Sequence, residues 1–310
     1  MNRLISVAVV TYNSAKTVLE TLESVKKQTY TNIELIISDD CSTDNTVGVC
    51  RDWLNENAAC FVNATLLTSE VNKGIAPNRN NCINAAQGEW LKFVDGDDLL
   101  TPNSIEDYNN AIKDDMHFIM GNFTYLYDDG KTKEYIPQKD FFNWTAAEQY
   151  RSQEKGATVL WPGIIHRRET LLKLGGLDER FPMLDDFPLI TKILENDYKF
   201  HHLDSFIFVY RVHAGSAQRS KGFHYSHVNY VNKIVIYRLK RDKKYFAYWH
   251  DKLWSTKELA KLSNNKLKAS GIYCLMLLTD CIEWKYLLKN NIYRPLIFKY
   301  RTLKSSKKDG

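Results

Sequence analysis

The chain has 310 residues, 44% hydrophobic and 25% charged, the proportions of an ordinary globular protein with length for one large α/β domain and a smaller appendage. Its net charge of +5 is uneven: residues 237–310 hold 18 Lys and Arg against 6 Asp and Glu, so the remainder is acidic. These figures exclude a disordered chain and a disulfide-stapled scaffold; six cysteines with no CxxC pair read as reduced thiols, and no run of about 18 apolar residues marks a membrane span.

In chain order, MNRLISVAVVTYNS has too short an apolar run for a signal-peptide core and reads as a buried first strand ending at Thr11, Tyr12 and Asn13. SAKTVLETLESVKKQ follows as a helix with Val18, Leu22 and Val25 on one face. IELIIS is a second strand, and it runs into SDDCSTDNT, Ser38 to Thr46. TDNTVGVCRDWLNEN is a second helix, FVNATLLTS a third strand, and IAPNRNNCINAAQ a third helix with Pro77 in its first turn. EWLKFVD is a fourth strand, and it drives into Asp95, Asp97 and Asp98. Alternation of helices with continuously apolar strands predicts a parallel sheet covered on both faces. Ligands of such sheets bind outside the carboxyl ends of the strands, where these three polar clusters meet.

Asp39, Asp40, Ser42, Thr43 and Asp44 also suit an ordinary helix cap, and Asp97 and Asp98 suit the cap of a helix starting near Pro102. Capping leaves the crowding of Asp95 with Asp97 unexplained. A divalent cation relieves it, because hard oxygen ligands suit Mg²⁺ or Mn²⁺ and phosphates complete the shell.

Further on, HFIMGNFTYLYDD reads as a strand and GGLDERF as a loop around Gly175 and Gly176. Asp185 and Asp186 then open a helix carrying Leu189, Ile190, Ile193 and Leu194, where acidic residues also suit the helix dipole. After the strand SFIFVY, the period of two in YRVHAGS puts Arg211 and His213 on one face. VNKIVIYRLKRDKKYFAYW and the stretch from Gly271 to Leu288 read as helices with a basic face, and KSSKKDG as a disordered end.

These residues resemble the family 2 inverting glycosyltransferases of GT-A fold, in particular bacterial surface-polysaccharide (O-antigen and capsule) members. The resemblance rests on VVTYNS, SDDCSTDNT against DDGSTD, VNKGIAPNRN against N.G...ARN, VDGDD against DxD, GGLDERF with LDDFPL against an acidic pair, and YRVHAGS against YRxH. It covers residues 4 to about 220. It implies a Rossmann-like, mostly parallel sheet flanked by helices over residues 1–222, with a nucleotide-binding half (1–100) and an acceptor half (101–222). Residues 223–310 form a basic helical extension outside it.

The resemblance also implies roles. Thr11 and Tyr12 would line the nucleobase pocket with Asn13 beside them, and Asp40 would accept the uracil N3 proton, or Asp39 one position earlier. Arg79 would approach the base or diphosphate. Asp95 would hold the ribose directly or through water, and Asp97 would bind the metal, Mn²⁺ or Mg²⁺, with His213 on the metal or pyrophosphate and Arg211 nearby. Asp186 would be the general base and Asp185 would position a sugar. Cys41, Asn78 and Asp185 depart from the usual Gly, Ala and Glu; Cys41 is small and reads as tolerated.

The expectation is a metal-dependent transferase moving a hexose or N-acetylhexosamine from a UDP-sugar to an oligosaccharide or lipid-linked acceptor. It would work in the cytoplasm or at the inner face of the plasma membrane, which the basic extension would touch, with no nucleic-acid partner. The alternatives are a non-catalytic nucleotide-sugar or glycan binder, and nucleic-acid binding through the basic extension. A nicotinamide enzyme is disfavoured, since no GxGxxG follows the first strand.

Overall fold

Strands Ile5–Thr11 (β1) and Ile33–Asp39 (β2) are buried at every position, as strands covered on both faces must be. In the computed structural model, which describes residues 2–154, 161–213, 221–235 and 245–262, they form the centre of a sheet. Around them follow helix Val18–Lys26 (α1), helix Thr46–Asn57 (α2), strand Asn63–Thr68 (β3), helix Ile75–Ala85 (α3) and strand Trp90–Asp95 (β4). The order β3-β2-β1-β4 is parallel throughout, and strands consecutive in the chain are joined by crossover helices. Val18, Leu22 and Val25 of α1 are buried as their spacing predicts, each removed from water at a gain of about 1.5–3 kcal/mol.

Beyond β4 come the short strand Leu99–Leu100 (β5), helix Ser104–Ala111 (α4), strand Phe118–Tyr127 (β6), strand Thr132–Tyr135 (β7), and helices Asp140–Asn143 (α5) and Ala146–Glu154 (α6). Strand Ile164–Arg167 (β8), helix Arg168–Lys173 (α7), helix Asp186–Glu195 (α8) and strand Phe200–Val212 (β9) follow. The sheet continues β4-β8-β6-β9-β5, with β7 paired to β6, and here it is mixed: β8 is antiparallel to β4 and β6, while β6 and β9 are parallel. The helix expected near Pro102 begins at Ser104 with Asn103 at its cap position. Asp97 and Asp98 lie upstream of it and cap nothing.

The chain divides into two compact units, Met1–Gln153 with Thr158–Ala214, and Glu154–Ala157 with Gly215–Gly310. In the second, helix Lys221–Tyr230 (α9), a π-helical turn Val231–Val235 and helix Tyr245–Leu262 (α10) are described, and His224 Nε2 lies 2.9 Å from the buried Glu258 Oε2. The stretch from Gly271 to Leu288, KSSKKDG, and the AGS of YRVHAGS lie outside the described residues. Among the described residues no helix is long and apolar enough to cross a membrane.

Candidate active site

Register brings the strand ends level. Thr11 pairs with Asp39 across β1 and β2, and Val10 with Asp95 across β1 and β4, so the polar residues that follow open on one edge. There, Thr11 Oγ1 donates to Asp39 Oδ2 at 2.8 Å, Ser42 Oγ donates to the same oxygen at 2.5 Å, and Ser42 N donates to Oδ1 at 2.8 Å. Asp40 accepts from Lys73 N at 2.9 Å and from Gly74 N at 2.7 Å. A carboxylate has about four lone-pair positions. Asp39 therefore spends more of its acceptor capacity inside the protein than Asp40 does.

Asn13 joins the two loops: its Oδ1 accepts from Thr43 N at 2.8 Å and its N donates to Ser42 Oγ at 2.8 Å. Tyr12, 49% exposed, offers a ring beside them. Cys41 sits at φ +63°, a left-handed conformation that costs a side chain about 1–2 kcal/mol. The position favours Gly for its backbone angle, a reason the size of the side chain does not reveal.

The third motif wraps one helical turn around these loops. Gly74 turns at φ +98°, and a Cβ there would come within 2.8 Å of Pro182. Asn78, buried, accepts from Ser38 Oγ at 2.5 Å and donates from Nδ2 to Ser38 O at 2.9 Å. Arg79 is 2% exposed; its Nη2 lies 2.6 Å from Asp95 Oδ1 and its Nε 2.7 Å from Asp185 Oδ2. Asn80 accepts from Leu177 N at 2.9 Å and donates to Glu179 Oε1 at 2.7 Å. The motifs alone give Asn78 and Asn80 no role, although three consecutive polar residues on a helix that must pack against a sheet are a usable signal.

In VDGDD the three carboxylates separate by partner. Asp97 Oδ2 lies 2.7 Å from His213 Nε2, with the two side chains 30% and 34% exposed. Asp98 is buried and accepts from Arg211 N at 2.8 Å, which fastens this loop to the end of β9. Burial, with repulsion from Asp97 and Asp95, holds the Asp98 carboxyl well above the usual range. Burial also raises Asp95, with Arg79 pulling against it and Asp97 adding to the rise. The Arg211 side chain turns away from His213: its guanidinium pairs with Glu20 on α1, while its backbone N donates to the acidic loop at Asp98. Lys92 in β4 is buried, donates to Pro162 O and Ile164 O, and is pushed down to about 7 by burial and by Arg79. Its only sequence signal is a lone cation inside the apolar run EWLKFVD.

Asp185 occupies the position before α8 without capping it. Its carboxyl turns to Arg79, and burial carries it up to about 6 against that pairing, with Asp186 and Asp95 adding to the rise. Asp186 begins the helix and accepts from Phe187 N at 2.6 Å, a place where the helix dipole favours an anion. The dipole explanation of the acidic pair thus serves Asp186 and not Asp185.

The residues fit a divalent ion. A carboxylate oxygen and an imidazole nitrogen converge, partly open, and the carboxylate is the donor of the two that suits Mn²⁺ or Mg²⁺. No group of three His, Cys, Asp or Glu side chains arranged for a metal occurs among the described residues, so the rest of a shell falls to diphosphate and water.

Comparison with known proteins bears on the family and the fold. Glycosyltransferase GlyG of Streptococcus pneumoniae is 38% identical over 144 residues, 46% of this chain and 46% of that protein, so the match spans about half the relative's length. The UDP-Glc:alpha-D-GlcNAc-diphosphoundecaprenol beta-1,3-glucosyltransferase WfaP of Escherichia coli is 29% identical over 220 residues, 70% of this chain and 81% of its own. The crystal structure of S. aureus TarS 1-349 in complex with UDP-GlcNAc superposes with a TM-score of 0.59 at 19% identity, covering 87% of this chain and 89% of that one, a likeness that carries the GT-A arrangement. The model of glycosyl transferase family 2 matches residues 6–174, more than half the chain, and the chain belongs to that family.

Proposed function

We propose that the protein is a metal-dependent inverting glycosyltransferase that moves a hexose or N-acetylhexosamine from a UDP-sugar to a hydroxyl of a lipid-linked glycan. One observation carries this reading: a single sheet edge holds the Asp97–His213 pair and, through Arg79, joins Asp95 to the Asp185–Asp186 helix start. The relatives WfaP and WfgD, both of Escherichia coli, are named for glucosyl transfer to a GlcNAc-diphosphoundecaprenol, and TarS was crystallised with UDP-GlcNAc and with UDP. Both support the substrate classes.

In this mechanism Tyr12 and Thr11 flank the nucleobase, Asp40 accepts its N–H, and Asp95 takes the ribose. Asp97 and His213 would hold a divalent ion, and such an ion would supply Lewis-acid stabilisation of the diphosphate leaving group. Asp186 accepts the proton of the acceptor hydroxyl as that oxygen bonds to the anomeric carbon. The bond to the diphosphate breaks on the opposite side, UDP leaves with the electron pair, and one displacement inverts the configuration. The basic C-terminal region brings the protein to an anionic cytoplasmic leaflet, where a lipid-linked acceptor resides.

A thermal-shift series with UDP, GDP and ADP, each with Mn²⁺ or with EDTA, tests the donor and the metal. A ligand at 100 times its Kd stabilises the folded state by about 2.7 kcal/mol, a shift of several degrees. UDP with Mn²⁺ is expected to give it alone. An equal shift from UDP in EDTA contradicts metal dependence, and no shift from any nucleotide contradicts the donor class.

A further inference from the structure

We propose that Arg79 is a positioning residue, a buried strut that ties Asp95 on the donor side to Asp185 on the acceptor side and thereby places Asp186, and not a contact to the nucleotide. The proposal deepens the transfer reading above and rests on it. Arg79 is 2% exposed, so it presents almost nothing to a groove, whereas Asp95 keeps 38% of its side chain exposed. Its guanidinium also lies 5.1 Å from the centre of the Phe93 ring. Nη2 hydrogen-bonds Asp95 at 2.6 Å, Nε lies 2.7 Å from Asp185 as an ion pair, and a ring lies on one face, so the fork is oriented by Asp95 and Phe93 and tied to Asp185 by charge.

The residues on either side of Arg79 fix the helical turn that carries it. Asn78 anchors the same helical turn to Ser38 of β2, and Asn80 anchors it to Leu177 and Glu179 in the loop ahead of α8. Three consecutive residues therefore clamp three separate segments, and Arg79 spans the two that carry chemistry. Asp185 directly precedes Asp186, so fixing the Asp185 carboxylate fixes the first turn of α8. If the buried guanidinium swung to a phosphate it would leave the largely enclosed Asp185 carboxylate uncompensated and give up its pairing with the more open Asp95, and losing a partner in such a desolvated place is costly.

Arg79→Lys, Asp185→Asn and the double variant separate this role from a nucleotide contact. Lys keeps the charge and loses the fork. Calorimetry with UDP and Mn²⁺ gives the Kd, and release of UDP from a UDP-sugar in the presence of acceptor gives kcat. Each single variant is expected to lose kcat at least tenfold with a UDP Kd within threefold of wild type. The double variant is expected to fall no further than the worse single, because both changes break one strut. A tenfold weaker UDP Kd in Arg79→Lys at unchanged kcat, or losses that multiply in the double variant, would overturn the proposal. If Arg79→Lys does not fold, Asp185→Asn decides, since wild-type kcat in that variant also overturns it. Failure of the wild type to bind UDP counts instead against the transfer reading; the strut is then judged by urea midpoints, which must be non-additive for the same pair.

Discussion

Asp185 carries the clearest pH signature in the site. Its carboxyl, raised from 3.8 to about 6 by burial against the pull of Arg79, holds its proton more tightly in the folded state than in the unfolded chain. Its contribution to stability is thus fully present below about pH 4 and lost as the pH rises through about 6. Wild type should lose of order 2–3 kcal/mol relative to Asp185→Asn between pH 4 and pH 7 in urea unfolding, because each tenfold change in proton affinity is worth about 1.4 kcal/mol; profiles that stay parallel contradict this placement of Asp185. The pairing behind it was not legible in the sequence, where 79, 95 and 185 are remote and each motif accounts for itself. Asp97 beside His213 was legible only through the resemblance, which put both near one metal; the crowded carboxylates by themselves called for a cation and did not point to the histidine. Cys41 was half legible: the departure from Gly stood out, and its cause, a left-handed backbone, did not.

At the scale of elements, α3 and the loop before α8 act together. Gly176 sits at φ +65°, and a Cβ there would lie 2.5 Å from Asn80 Oδ1, while Gly175, at φ +73°, has nothing within 4 Å of its Cβ position. Gly175→Ala should cost only the left-handed strain, about 1–2 kcal/mol. Gly176→Ala should cost that and the Asn80 hydrogen bonds as well, about 1 kcal/mol more, and should lower transfer by displacing α8. Denaturation midpoints and kcat on the two variants check it; equal effects would show that the Asn80 clamp is immaterial. β1, β2 and β4 could be read from the chain because each is a largely apolar run between turn signals, and β3, with NATLLT at the sheet edge, from its place between two helices. Beyond residue 100 the short antiparallel strands β7 and β8, of four residues each, left no such signal, since their pairing depends on partners distant in sequence.

For the whole molecule, charge is the large-scale asymmetry. With 18 Lys and Arg against 6 Asp and Glu in residues 237–310, the full chain should sediment with vesicles containing phosphatidylglycerol and be released by about 0.5 M salt, where the screening length falls well below 10 Å. Equal binding to neutral vesicles would contradict an electrostatic attachment, and salt-sensitive binding to duplex DNA without vesicle binding would favour a nucleic-acid partner.

The edge where β1, β2 and β4 end gathers the candidate donor-site groups, and the helix that begins at Asp186 brings the candidate base to them. The most direct measurement is the transfer rate of Asp186→Asn at saturating UDP-sugar and acceptor with Mn²⁺, taken beside its UDP affinity. A fall of about 10²–10⁴ in kcat, the usual contribution of a general base, with UDP affinity unchanged is predicted. Transfer at the wild-type rate would contradict the assignment of Asp186 as the base and the mechanism built on it.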